Sequence, residues 1–126
     1  MKTLGAQLGA IDSGFCEITL VHHPSLTQQH GLFHGGVVAT IADNAAGFAA
    51  YTLMKDGRQP LTVEFKINLI APNVGSSLLA RAEVLSSGRR ISHVRSDVFS
   101  YDRGVEALTA TALVTIKSTR TVSEVG

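Results

Sequence analysis

Asp43 is the first candidate for chemistry, because it is the single charged residue between Gly35 and Met54. A carboxylate in an apolar segment costs free energy unless it is paired or faces a cavity. A carboxylate placed in this way can act as a general base or as a nucleophile. The alternative is a surface carboxylate on the one hydrated stripe of a helix, which Thr40 and Asn44 could share.

The sequence His34-Gly35-Gly36 comes directly before this segment. Glycines at the start of a helix let a ligand approach the backbone closely. The first N–H groups of a helix have no acceptor within it, and the helix dipole favours negative charge there. Such donors can stabilise the oxyanion formed from a carbonyl group. The alternative is a loop that needs glycine in order to turn into a helix.

The spacing between these two features has a consequence for assembly. Asp43 follows Gly35 by eight residues, so one helix would separate them by about 12 Å along its axis. An aspartate side chain is too short to close that gap. A second, antiparallel copy of the helix could bring both groups to one substrate. If they act together, the active site lies between subunits, and a twofold dimer has two such sites.

The other reactive side chains carry weaker signals. His34 could be a base or a metal ligand, but a histidine here more often shapes a loop or a helix start. His22, His23 and His30 have spacings that match no metal motif. The sequence contains no G-x-S-x-G elbow, Walker loop or G-x-G-x-x-G. Cys16 is predicted to pack in the core, and no metal or cofactor is predicted.

Hydrophobic patterning predicts one helix and five strands. The 36–54 segment is rich in alanine, has no proline and is apolar nearly all round, so we expect a helix buried on most sides. Residues 61–70 alternate strictly, which predicts a strand with Thr62 on the face opposite to Val63 and Phe65. The predicted elements are a strand at 14–21, a loop at 22–33, the helix at 36–54, an exit turn at 55–60, strands at 61–70, 77–86, 91–101 and 105–117, and a loose tail from 118. One helix followed by an antiparallel meander indicates an α+β architecture in which the sheet wraps the helix.

Length and composition restrict the functional classes. A chain of 126 residues predicts a single domain, 1–126. The net charge of +1 and the aromatic content of 6% give no support for nucleic-acid or anionic-membrane binding. The N-terminus is a poor signal peptide and no apolar run is long enough to span a membrane. With a single cysteine, these features predict a cytoplasmic protein.

The string HGGVVATIADNAAGFAA closely resembles the signature of the PaaI-type thioesterases, which are named for phenylacetic acid degradation and belong to the hotdog-fold superfamily. VEFKINLIAPN is also similar to the strand that follows the helix in that family. The resemblance extends from about Gly14 to Lys117. It implies the hotdog fold, a long central helix wrapped by an antiparallel sheet. It also implies a homodimer or homotetramer with sites at the dimer interface.

The same resemblance implies roles for individual residues. Asp43 matches the acidic catalytic residue, and Gly35 matches the backbone N–H that polarises the thioester carbonyl. Gln28 matches a position that places the carbonyl or the attacking water. Thr62 matches a Ser/Thr position that orients this water.

Substrate-binding residues follow from the resemblance as well. His34 matches the family histidine beside the thioester, and Gly36 is expected to bind substrate next to it. Arg89 and Arg90 match a basic position that would bind the phosphates of coenzyme A. The alternative for these two arginines is a solvated hairpin turn.

The resemblance implies an acyl-CoA thioesterase acting on short- or medium-chain or aryl-acyl-CoA, with Asp43 as general base or nucleophile. The alternatives are a hotdog dehydratase that acts on acyl thioesters and a non-catalytic acyl-CoA binding module. HGG followed by Asp43 fits the thioesterase better than the dehydratase. The sequence leaves the acyl group and the tetramer packing open.

Overall fold

The computed structural model describes residues 5–21 and 33–120, which form one helix and six strands. In chain order these are β1 (Gln7–Asp12), β2 (Phe15–Val21), α1 (Gly35–Tyr51), β3 (Arg58–Leu69), β4 (Ser77–Ser87), β5 (Ile91–Asp102) and β6 (Val105–Arg120). The strands form one sheet in the order β1-β2-β4-β5-β6-β3, and every neighbouring pair is antiparallel. No helix within these two ranges is long and apolar enough to span a membrane.

Helix α1 packs against one face of the sheet, and the core lies between them. Its buried residues are Val38, Ile41, Ala42, Ala45, Ala46, Ala49 and Ala50. They face alternate residues of β2, β4, β5 and β6, including Ile18, Leu78, Val94, Val98, Val114 and Ile116, which are fully or almost fully buried. The small alanine side chains allow the helix backbone to lie close to the sheet. The predicted helix wrapped by an antiparallel sheet is therefore confirmed.

Several predicted boundaries are wrong by a few residues. The helix starts at Gly35 and ends at Tyr51, and β6 continues to Arg120, so residues 118–120 are not a loose tail. Residues 58–60 belong to β3 rather than to the exit turn. Pro60 is tolerated there because β3 is an edge strand, where a missing N–H leaves no ladder bond unmade. Strand β1 was not predicted, and residues 22–32 and 121–126 lie outside the described residues.

The strict alternation predicted for β3 is broken by a β-bulge at Val63. Thr62 pairs with Ile116 of β6, and Glu64 pairs with the next residue, Thr115, so Val63 has no partner. Directly opposed residues in an antiparallel pair share a face. Thr62 therefore lies on the helix side, with the buried Ile116, as do residues such as Phe65 beyond the bulge. The prediction that Thr62 and Phe65 occupy opposite faces is wrong.

One side of α1 is not covered by the described residues, so the expected burial on most sides is wrong for the chain alone. Thr40 and Tyr51 are exposed, while Asp43, Asn44 and Gly47 are half-buried. The adjoining edge strand β3 exposes apolar side chains, with exposed fractions of 51% for Leu61, 49% for Val63, 40% for Phe65 and 58% for Leu69. A long apolar edge strand that is exposed to solvent is prone to pair with another chain.

Candidate active site

Asp43 and Thr62 form the centre of the candidate site. Asp43 lies in the middle of α1, and the Thr62 hydroxyl donates a hydrogen bond of 2.6 Å to its Oδ1. The bulge at Val63 turns Thr62 towards the helix, and β-bulges often re-aim a side chain near active sites. A hydrogen bond to a charged carboxylate is stronger than one between neutral groups. It fixes one oxygen of Asp43, and no side chain in the described part of the protein donates to Oδ2.

Asp43 and Thr62 line an open cavity of about 480 Å³. Its remaining walls are Asn44, Gly47, Phe48 and Tyr51 of α1 and Arg58, Gln59 and Pro60 of β3. Apolar walls with a few convergent polar groups are typical of small-molecule sites. The carboxylate predicted from the sequence therefore faces a cavity, although it also lies on the helix stripe that holds Asn44.

A second cavity, of about 590 Å³, adjoins the first through Arg58, which lines both. Arg89 and Arg90 line it, and so do Lys55, Arg58 and Arg120, opposed there by a single acidic residue, Asp56. Arg58 is held in place because its Nε donates to Ser118 Oγ (2.9 Å) and its Nη2 donates to the Ser118 carbonyl oxygen (2.7 Å). This concentration of positive charge suits an anion such as a phosphate.

Gly35 lies at the N-terminal end of α1, whereas the basic cavity adjoins the C-terminal end. His34 is the exposed N-cap residue, with extended backbone angles, and its carbonyl oxygen accepts the N–H groups of Val37 (3.0 Å) and Val38 (3.1 Å). No side chain caps this terminus, and no acidic residue lies in the first turn. Gly36 is exposed. The N–H groups that begin a helix lack intrahelical acceptors, so this end can serve an anion or an oxyanion.

The helix N-terminus and Asp43 open into different cavities. Gly35 lines a cavity of about 370 Å³ together with Phe33 and the segment from Leu69 to Asn73, and that cavity shares no residue with the one at Asp43. One chain thus brings Asp43 together with Thr62, and Arg89 with Arg90, but it does not bring Gly35 to Asp43. Gln28 lies outside the described residues.

Cys16 is excluded as a nucleophile by its environment. Its side chain is 0% exposed on the core side of β2, as predicted. Burial, and to a lesser extent the neighbouring Glu17 carboxylate, raises the pKa of the thiol to about 11, so the reactive thiolate is scarce near neutral pH. Within residues 5–21 and 33–120, no three His, Cys, Asp or Glu side chains converge in a way that could hold a metal ion.

The sequence reasoning missed three of the basic residues, Lys55, Arg58 and Arg120. Lys55 and Arg58 fell within a predicted turn, and Arg120 fell in the predicted loose tail. A signal was present, since a cationic segment directly follows the Asp43 helix. Its meaning depends on the sheet, which places the ends of β3 and β6 beside the turn between β4 and β5.

The comparisons with known proteins agree with this fold. The family described as Thioesterase superfamily matches residues 30–107, more than half of the chain. A crystal structure of a thioesterase family protein from Silicibacter pomeroyi is 36% identical, with a TM-score of 0.94 over 96% of this chain and 89% of that chain.

Two curated relatives extend the comparison. SSO1253 of Saccharolobus solfataricus, which is provisionally named an esterase, is 33% identical over 89% of this chain and 72% of its own length. The medium/long-chain acyl-CoA thioesterase YigI of Salmonella typhimurium is 24% identical over 90% of this chain and 83% of its own length. The chain belongs to the thioesterase superfamily, as the resemblance implied, and is a thioester hydrolase with the hotdog fold.

Proposed function

We propose that this protein hydrolyses acyl-CoA thioesters, of short- or medium-chain or aryl-acyl groups, to the free acid and CoA. The observation that carries the proposal is the Thr62–Asp43 hydrogen bond at the wall of a cavity that adjoins a basic cavity. A carboxylate beside an apolar cavity suits the acyl carbon, and the arginines suit phosphates. The naming of YigI as a medium/long-chain acyl-CoA thioesterase supports acyl-CoA as the substrate class.

In the proposed reaction Asp43 acts as the general base. Its Oδ2 takes a proton from a water molecule while Thr62 holds Oδ1, and the water oxygen adds to the thioester carbonyl carbon. The Gly35 N–H stabilises the resulting oxyanion, and Gln28 holds the carbonyl or the water. The tetrahedral intermediate collapses by breaking the C–S bond, and the thiolate of CoA takes up the proton from Asp43. His34 and Gly36 bind the acyl thioester beside the helix N-terminus.

The basic cavity is the proposed site for the phosphates of CoA. Arg89 and Arg90 were expected to bind them, and Lys55, Arg58 and Arg120 join them in one cavity. Because Arg58 lines both cavities, a substrate can reach from the basic cavity to Asp43 without leaving the protein surface. Arginine is well suited to phosphate because its planar group donates two parallel hydrogen bonds.

The active site is proposed to be completed by a second copy of the chain. Gly35 and Asp43 open into separate cavities, so one subunit cannot supply both groups. An antiparallel pairing of β3 with β3 of a second copy would cover the exposed apolar edge and the open side of α1. It would also bring the Thr62 end of one strand to the Leu69 end of the other. A Cβ built on Gly35 would lie 3.4 Å from Leu69 Cδ1, so Gly35 lies beside the Leu69 end of its own β3.

Charge complementarity selects a register for this pairing. With Phe65 on the twofold axis, Glu64 of each copy faces Lys66 of the other copy, which gives two symmetry-related ion pairs. Centring on Glu64 places two carboxylates opposite each other, and centring on Lys66 places two ammonium groups opposite each other. The midpoint between Thr62 and Leu69 falls between residues 65 and 66, so the Phe65 register also brings Gly35 near Asp43 of the other copy.

The experiment that tests the reaction is thiol release from a panel of acyl-CoAs by wild type and Asp43→Asn. We expect kcat to fall by about 100-fold or more, the size of effect attributed to a general base. Glu83→Gln is a matched control, because it removes one exposed carboxylate from the other face of the sheet, and it should retain wild-type kcat. Circular dichroism establishes that each variant is folded.

Two outcomes would contradict the proposed hydrolysis, and a third would contradict the role of Asp43. If folded wild type releases no thiol from any acyl-CoA yet binds it, the chain is a binding module. If it hydrates an enoyl-CoA instead, it is a dehydratase. If wild type is active and Asp43→Asn equals it, the hydrolysis holds and the role of Asp43 does not.

Isotope labelling distinguishes the general base from a nucleophilic carboxylate. In a single turnover in H₂¹⁸O, a general base delivers ¹⁸O to the product acid. A nucleophilic Asp43 would form an anhydride and transfer one of its own oxygens to the acid when water attacks the carboxyl carbon of Asp43. Mass spectrometry detects this route as ¹⁸O in the peptide containing Asp43, which stays unlabelled with a general base. We expect ¹⁸O in the acid and none in this peptide.

A further inference from the structure

Thr109 is a buried polar residue behind the helix N-terminus that the proposed reaction does not use. In the β5–β6 pair, Val98 opposes Ala110 and Phe99 opposes Leu108, so Thr109 is the extra residue of a β-bulge. It is 1% exposed. The extra residue of a bulge is unpaired in the ladder, and the carbonyl oxygen of Thr109 serves the turn that follows β3.

The backbone and side chain of Thr109 both bind the turn that follows β3. Its carbonyl oxygen accepts the N–H groups of Ile70 (2.8 Å) and Ala71 (3.2 Å). Its hydroxyl hydrogen-bonds to Asn73 Oδ1 and also lies 3.2 Å from the carbonyl oxygen of Val98. Asn73 is 6% exposed. A buried polar group without a partner is costly, so this pair specifies one position of the turn.

Asn73 transmits that position to the start of α1. Its carbonyl oxygen accepts the N–H of Phe33 at 3.0 Å, and Phe33 is 3% exposed. Phe33 is followed directly by His34, the N-cap, and by Gly35. Because no side chain caps the helix from within, the start of the helix is tied from outside, through the turn, to the bulge.

The turn itself is seated against a further strand. Gly75 has φ of +109°, and a Cβ there would collide with the carbonyl oxygen of Tyr101 in β5. Ser76 N–H donates to the same oxygen at 2.9 Å. The turn is therefore fixed on both sides of Asn73. Before Asn73 the backbone binds the carbonyl oxygen of Thr109, and after it the backbone binds the carbonyl oxygen of Tyr101.

We propose that Thr109 and Asn73 are positioning residues that set the place of the Gly35 N–H relative to the thioester carbonyl. The inference rests on the proposed function, in which that N–H stabilises the oxyanion. A displacement of about 1 Å at a reacting centre can cost about 100-fold in rate. The hydroxyl of Thr109 therefore influences kcat although it touches no substrate.

The test compares Thr109→Val, which replaces the hydroxyl with a methyl group of similar size, with Thr109→Ser, which keeps the hydroxyl. We expect Thr109→Val to lower kcat at least tenfold with KM for acyl-CoA within about twofold, and Thr109→Ser to stay within about twofold of wild type. Amide hydrogen exchange should be faster at residues 33–38 in Thr109→Val only, while exchange at Asp43 and in β3 stays unchanged.

If Thr109→Val does not fold, Asn73→Ala takes its place. It removes the side-chain acceptor of the Thr109 hydroxyl. The hydroxyl retains its contact with the carbonyl oxygen of Val98, and the backbone carbonyl of residue 73 still accepts the N–H of Phe33. Wild-type kcat per folded molecule in either variant, or equal losses in Thr109→Val and Thr109→Ser, would overturn the proposal. Wild type is assayed in parallel. If wild type releases no thiol, the proposed function fails, whereas unchanged exchange at residues 33–38 in the variants overturns the positioning role by itself.

Discussion

The start and the middle of helix α1 are held in different ways. In the middle a side chain is bound to a side chain, because Thr62 donates to the Asp43 carboxylate directly. At the start, near Gly35, the contacts are mainly backbone ones, since Phe33 N–H binds the carbonyl of Asn73 and the carbonyl of Thr109 takes two further N–H groups. A bulge serves each place, at Val63 in β3 and at Thr109 in β6.

This difference indicates how each place tolerates change. A side-chain pair can be altered one atom at a time, and each atom deleted is a chemical group lost from the site. A backbone donor persists through most substitutions, because every residue except proline carries the N–H. The helix start should therefore respond to proline at Gly35 and to changes such as Thr109→Val that displace the turn. The Asp43–Thr62 site should respond to removal of its own hydroxyl or carboxyl group.

The largest expected effect is that of Gly35→Pro, which removes the proposed oxyanion donor. Proline is favoured at the first position of a helix, and His34 already has φ of −62° and ψ of 140°, the region that a residue before proline prefers. The helix should therefore form. We expect kcat to fall about 100- to 1000-fold, the usual cost of one oxyanion donor, as measured by thiol release.

Gly35→Ala is the matched control, because it keeps the N–H. An added Cβ would lie 3.4 Å from Leu69 Cδ1, an ordinary contact. Its kcat should stay within about threefold of wild type. Equal activity of the proline and alanine variants would show that the Gly35 N–H does not act in the reaction.

A smaller effect is expected at the Asp43–Thr62 site when the Thr62 hydroxyl is removed. A hydrogen bond to a charged group contributes about 1.5–3 kcal/mol, so Thr62→Val should lower kcat by at least about tenfold. Thr62→Ser keeps the donor and should retain most activity. If valine and serine behave alike, Thr62 packs against Asp43 without orienting it.

Arg58 should affect binding rather than the chemical step. We expect Arg58→Gln to raise KM for acyl-CoA by about five- to tenfold, which corresponds to about 1 kcal/mol or slightly more for one partly exposed charged contact. KM for the same acyl thioester of N-acetylcysteamine, which has no phosphate, should not change. Equal changes with both substrates would place the phosphates elsewhere.

The smallest effect concerns the proposed β3–β3 pairing, which brings Gly35 of one subunit near Asp43 of the other. Glu64→Lys or Lys66→Glu should weaken dimerisation by about three- to tenfold, because exposed ion pairs contribute about 1 kcal/mol or less each. Glu64→Lys combined with Lys66→Glu should restore it. Analytical ultracentrifugation measures the dimer, and thiol release should follow it. If the double variant is as weak as the single ones, the register is not centred on Phe65.

The secondary-structure elements and the candidate reactive groups could be predicted from the sequence alone. Periodicity predicted the helix and the five strands that were named, because burial of one face imposes periods of 3.6 and 2 on a chain. Asp43 was a candidate because a charge in an apolar helix costs free energy unless it is paired or faces a cavity. The catalytic roles of Asp43, Gly35, Gln28 and Thr62, the cytoplasmic location and the extent of the domain stay predictions from the sequence.

Which side chains lie next to each other depends on the tertiary structure. The bulge at Val63 reversed the predicted face of Thr62, and it depends on pairing with β6 rather than on the pattern within β3. The cluster of Arg58 with Arg89 and Arg90 arises because three distant segments end at one corner of the sheet. The tie from Thr109 to the helix start consists largely of backbone hydrogen bonds. Every residue type except proline can make such bonds, so the sequence contains no local signal for them.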